Sequence, residues 1–206
     1  MSFTNRSQHP CGFTLIEMAI VLVVIGLILG MVFKGRQLID QARVKKMAAN
    51  YNKVIGGMNT FYDRYGFYPG DGCEGHPEPS SPMDCTGERN GLIDVSGSAG
   101  STDESQAFWC LLIDETGILD ENVQQSVFGQ DWLIWQEEIG DSGPANWMDL
   151  DGGPQGDPRV ICALDQKIDD GYDESGDVTD EANDYNPDTD CWSLSGQGNP
   201  KLKILP

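Results

Sequence analysis

From Phe13 to Phe33 the chain is apolar without interruption except for one carboxylate, Glu17, close to the start of the run. About 20 apolar residues are enough for a helix to cross a bilayer. A carboxylate inside hydrocarbon costs a few kcal/mol or more, so Glu17 is expected to have a partner. The residues before it are short and polar and end in Gly12, which reads as a processing site. An ordinary secretory signal has a basic start, an apolar stretch of about 7–15 residues and a small-residue cleavage site after it. Here Arg6 is the only basic residue before the run, the run is too long, and no Ala-x-Ala follows. A lipoprotein signal would carry its cysteine after the run, whereas Cys11 precedes it. A plain membrane anchor explains the length but leaves Gly12 and Glu17 without a purpose.

The segment Gly12-Phe13-Thr14-Leu15-Ile16-Glu17 with its apolar continuation resembles the N-terminus of type IV pilins and type II secretion pseudopilins. The resemblance is strong over residues 8–66 and weaker afterwards. It implies cleavage after Gly12, N-methylation of Phe13, and assembly of a filament through the helix. It also implies an inner-membrane precursor with one span and a periplasmic body, later part of a pilus or pseudopilus and in some systems at the cell surface. The partners it implies are other pilin or pseudopilin subunits and a prepilin peptidase/methyltransferase. The Glu17 carboxylate would then pair with the free α-amine of Phe13 on a neighbouring subunit. One count opposes this topology: Lys34, Arg36, Arg43, Lys45 and Lys46 follow the run, and positive charge usually marks the cytoplasmic side. The cysteines and the resemblance outweigh it. Many pilins carry a proline about twenty residues into the mature helix; here that region reads Phe33-Lys34-Gly35. Gly26 and Gly30 form a Gly-x-x-x-Gly pair, suited either to close helix approach or to loosening of the helix.

Past the apolar run no proline occurs until Pro69, and Val44, Met47, Tyr51, Val54, Met58, Phe61 and Tyr65 step by three and four residues. That spacing places them in one helical stripe. A continuous helix from Phe13 to Tyr65 would run ~80 Å at ~1.5 Å per residue. A coiled-coil stalk would show a similar stripe. The preferred reading is an α+β pilin-like lollipop, with an apolar half-helix protruding and an amphipathic half packed on a small antiparallel sheet. The expected division is a leader over 1–12, a membrane or filament-core helix over 13–33, an amphipathic helix over 34–66 and an acidic globular head over 67–206.

In the head, Glu104 to Leu119 reads as a second helix with Ser101 or Thr102 as cap. Trp132–Trp135 and Arg159–Leu164 are short enough for strands, and Asn90–Asp94 reads as a turn entering an extended segment. Tyr65–Asp71 and Leu164–Gly171 resemble segments of a large prepilin-like group whose individual roles are poorly defined.

Charge divides the chain. Through Tyr65 there are eight Lys/Arg and three acids; from Gly66 onward there are five Lys/Arg and thirty acids, a net of −25. Such a body repels phosphate backbones, so the head is not expected to bind nucleic acid. Five cysteines lie beyond the leader. No Cys-x-x-Cys occurs, and outside the cytoplasm two disulfides and one free thiol are the economical arrangement. Cys73–Cys85 and Cys162–Cys191 are the preferred pairs, with Cys110 the buried unpaired thiol in an apolar patch; the sequence leaves the connectivity open.

No cofactor is required by this reading, but two acidic stretches fit Ca²⁺, which takes six to eight oxygens in flexible geometry. One places Asp184, Asn186, Asp188 and Asp190 at alternate positions. The other groups Asp165, Asp169, Asp170, Asp173 and Asp177 around Gly171 and Gly176. Neither is a complete EF-hand loop, and a solvated acidic loop is the simpler reading; a calcium loop in type II major pseudopilins adds weight to the metal. Hydrolase, P-loop, zincin and dinucleotide motifs are absent, and His76 is the only body histidine, so no enzyme is expected. The alternative to a filament subunit is a minor or tip subunit that presents a calcium-dependent adhesive or ligand-binding head.

Overall fold

The computed structural model describes residues 13–93, 103–138, 143–150, 152 and 155–205. The leader with Gly12, the two candidate caps Ser101 and Thr102, and Asp94 lie outside the described residues. The chain forms two compact units, Met1–Asp40 and Gln41–Pro206.

One helix, α1 (Leu15–Tyr65), contributes to both. In the first unit it is long and apolar enough to span a membrane, and its apolar side chains are exposed on every face. In the second unit the expected stripe is realised: Val44, Met47, Tyr51, Val54, Met58 and Phe61 are buried, with Tyr65 half-buried beside them. The helix stops where Gly66 takes φ +80°, and its N–H donates to the Tyr62 carbonyl at 2.7 Å. Glycine suits that left-handed position because it has no Cβ to clash.

The α+β architecture is present. Four strands, β1 (Trp132–Glu138), β2 (Pro144–Leu150), β3 (Val178–Asp180) and β4 (Pro200–Leu205), form an antiparallel sheet in the order β1-β2-β4-β3. Ile134, Met148 and Leu202 share a core with Met58 and Phe61 of α1 and with Phe108, Leu111 and Leu112. The Tyr51 hydroxyl donates to the Lys203 carbonyl at 2.6 Å, tying helix to sheet.

Two local expectations are corrected. Arg159–Leu164 is not a strand but part of helix α3 (Pro158–Ile168). Asp157 caps it by accepting the Arg159 N–H, and Pro158 sits in its first turn, so the start signal outweighs the β-branched pair Val160-Ile161. Val160, Ile161 and Leu164 then share one buried face. The second helix ends early: α2 covers Asp103–Cys110, and Leu111–Glu115 widens into a π-turn in which Thr116 donates to Leu111. Asn90–Ile93 makes its turn without becoming a strand. Asn146 on β2 holds it, accepting the Ile93 N–H at 2.6 Å and donating to the Gly91 carbonyl at 2.8 Å.

Candidate functional site

The N-terminal end of α1 is built by a capping box. The Thr14 hydroxyl accepts the Glu17 N–H at 3.3 Å, and the Glu17 carboxylate accepts the Thr14 N–H and hydroxyl, both at 3.0 Å. This satisfies donors that every helix leaves unpaired in its first turn. The Thr-x-x-Glu spacing is the sequence signal for it, and it gives Glu17 a local partner in addition to any cation. Phe13 stands beside it, 78 % exposed. Added Cβ atoms at Gly26 and Gly30 would meet nothing within 4 Å.

Of the nine candidate metal ligands, Asp165, Asp169 and Asp170 come together, with carboxylate oxygens within 4.8 Å of one another. The carboxylates also pin the loop that follows α3. Asp165 Oδ1 accepts Gly171 N at 2.8 Å, Asp169 Oδ2 accepts the amides of Asp177 and Val178, and Asp170 accepts Tyr172 N and the Ser175 hydroxyl. Asp165 is fully buried, and the buried Tyr185 hydroxyl beside it donates to its carboxylate. Burial pushes the Asp165 carboxyl up to about 7, against the opposing pull of the Gly171 amide and the Tyr185 hydroxyl. Three of the other candidates are used locally. Asp173 accepts Tyr185 N, Asn186 accepts Asp188 N, and Asp190 accepts Trp192 N at the start of a short 3₁₀ turn. Within 184–190, Asn186 and Asp190 thus form Asx turns, in which the side chain bonds the backbone amide two residues on.

The loop is closed by a Cys162–Cys191 disulfide, and a second bond joins Cys73 to Cys85. Cys110 is free but half-buried rather than buried, because its thiol faces a cavity and bonds the Pro79 carbonyl. The outer face of the sheet holds an ionic group that sequence reading did not single out. Lys201, 3 % exposed, bonds Glu137 and Glu181. Burial opposes its charge, yet the two carboxylates hold the ammonium above its usual range. Near them Asp149 is buried and pushed up to about 6, its carboxylate accepting the N–H of Leu150. Polar residues in a strand carry no alternation, so such a group has no signal at sequence level.

These groups pair, cap and pin. Neither a curated protein nor a solved structure is significantly similar to the chain. Residues 8–33, however, match the model of the prokaryotic N-terminal methylation motif, and with it the chain carries the signature of type IV pilins and pseudopilins.

Proposed function

We propose that this chain is a structural subunit of a type IV pilus-like or type II secretion pseudopilus filament. The observation that carries the reading is the coincidence of the methylation motif with a helix whose first half is apolar on every face. The motif points to a structural subunit and to processing by a prepilin peptidase. An all-round apolar helix is satisfied by lipid, by a large protein's core or by a bundle of like helices, and the motif at its start favours the first and last of these. The precursor therefore waits in the inner membrane with one span and its acidic unit in the periplasm. Cleavage after Gly12 frees the Phe13 amine, which is methylated. On assembly that amine, on one subunit, faces Glu17 of its neighbour. A buried pair of this kind fixes register more than it adds stability.

Gentle shearing of cells followed by quantitative mass spectrometry tests this. Processed protein beginning at N-methylated Phe13 is expected in a pelletable filament, or at low copy in the envelope for a pseudopilus. Glu17→Ala is expected to leave cleavage and insertion intact and to block incorporation; normal incorporation would overturn the pairing.

A divalent cation at Asp165, Asp169 and Asp170 is a second reading, favoured by the approach of their carboxylate oxygens to within 4.8 Å of one another. Ca²⁺ suits such hard oxygen donors. Millimolar Ca²⁺ is expected to protect residues 165–190 from protease, and an unchanged digestion pattern would remove this reading.

A further inference from the structure

A cavity of about 550 Å³ opens in the second unit between the Cys73–Cys85 loop, α2 and the π-turn. Its lining combines the carboxylate residues Glu78, Asp114, Glu115 and Glu121 with Trp109 and Cys110. The negative field converges inside it. Burial and then the charges of Asp114, Glu115 and Glu78 raise the Cys110 thiol above its ordinary range. Trp109 is 3 % exposed, and its indole N–H has no partner among the described residues. An aromatic wall and a ring of carboxylates are suited to a cationic side chain, which gains from both ion pairing and the ring face.

The chain itself supplies such cations. Basic residues outnumber acids eight to three up to Tyr65. On α1, Lys46 and Lys53 are exposed on the face opposite the buried stripe, about two helical turns apart. We propose that this cavity receives the exposed basic face of α1, led by Lys46 and Lys53, from a second copy of the chain. The proposal rests on the filament reading, in which copies pack side by side. Head-to-tail contacts of this type extend into a helical filament when the rotation between copies does not close a ring. They also explain why so acidic a body need not repel its own neighbours.

Carbodiimide joins a lysine amine to a touching carboxylate with loss of water, leaving an amide and no spacer. Applied to mixed ¹⁴N- and ¹⁵N-labelled full-length processed protein, in filaments and in membranes, it is expected to yield mixed-isotope links. These should join Lys46 or Lys53 to Glu78, Asp114, Glu115 or Glu121. Assembled protein is also expected to alkylate at Cys110 at least tenfold more slowly than dispersed protein. Lys46→Glu with Lys53→Glu should lower the assembled fraction about tenfold while leaving tryptophan emission unchanged, and Glu115→Lys with Glu121→Lys in the mixed partner copy should restore assembly. Filaments without mixed-isotope links would overturn the docking and leave the filament reading standing. Mixed-isotope links in membranes without any filament would keep the docking and remove the filament reading. Links confined to single copies, or a lysine-dependent hold on phosphatidylglycerol vesicles in place of links, would overturn the docking.

Discussion

The two ends of α1 solve one problem in opposite ways. Around Leu22 the helix bonds its backbone internally and turns apolar side chains outward in every direction; around Phe61 the same helix buries a single stripe and leaves its other faces polar. Backbone hydrogen bonding is equal in the two halves, so it cannot decide where each half belongs. The side chains decide. The Leu22 half needs an apolar environment from outside the chain, and the Phe61 half finds one in the chain's own sheet and helices.

Matched substitutions break this comparison most forcefully. Phe61→Ala removes a fully buried ring from the core and is expected to cost ~3–5 kcal/mol of unfolding free energy. Leu22→Ala, at a residue 70 % exposed, is expected to change it by less than ~0.5 kcal/mol. Urea unfolding of the full chain in micelles, followed by tryptophan emission, checks both, since all five tryptophans lie beyond residue 100. Similar losses for the two variants would mean that the first half is also held by tertiary packing.

The second unit differs from the first in its covalent closure as well. Cys162 and Cys191 enclose the acidic loop, 29 residues apart. Cys162→Ser with Cys191→Ser is expected to cost ~3 kcal/mol by freeing the unfolded chain. It should also speed proteolysis of residues 165–190 selectively. A uniform change along the chain would show that the bond holds the whole unit rather than the loop.

A smaller effect is expected from Asp149. Burial lifts its carboxyl to about 6, above its value in the unfolded chain. An acid with a raised folded value binds its proton more tightly when folded. The resulting stability is fully present below the ordinary carboxylate range and is lost as pH rises through about 6. Asp149→Asn is expected to flatten the stability profile in that window, with Lys201 still paired to Glu137 and Glu181. Chemical denaturation at pH 4.5 and pH 7.5 measures it; an unaltered slope would place the titration elsewhere.

What the sequence disclosed follows from how local each signal is. The α1 stripe and its end at Gly66 were legible because burial at three- and four-residue steps and a left-handed glycine are local facts. The grouping of Asp165, Asp169 and Asp170 was legible for the same reason, since one helix end carries all three. Strand β2 was not, because Asn146 and Asp149 break its apolar pattern, and the partner that makes Asn146 tolerable, the turn at Gly91–Ile93, lies over fifty residues away. Lys201 hides β4 similarly, its two glutamates coming from distant segments. Helix α3 is different: Asp157-Pro158 announced it locally, and the β-branched pair Val160-Ile161 was given more weight than it carries beside a cap.

The capping box offers the finest test of the comparison, because it is the one polar device in the otherwise apolar first half. Thr14→Ala removes the hydroxyl that accepts the Glu17 amide while leaving Glu17 and the apolar run unchanged. Loss of an N-cap side chain costs ~1 kcal/mol. In micelles that should raise amide exchange several-fold at residues 15–18 and leave residues 44–61, secured by the core, unaffected. Thr14→Ser keeps the oxygen and should restore protection. If Thr14→Ala exchanges like the parent, the Glu17 side chain alone holds the first turn, and its carboxylate is less free to meet a neighbour's amine than the pairing requires.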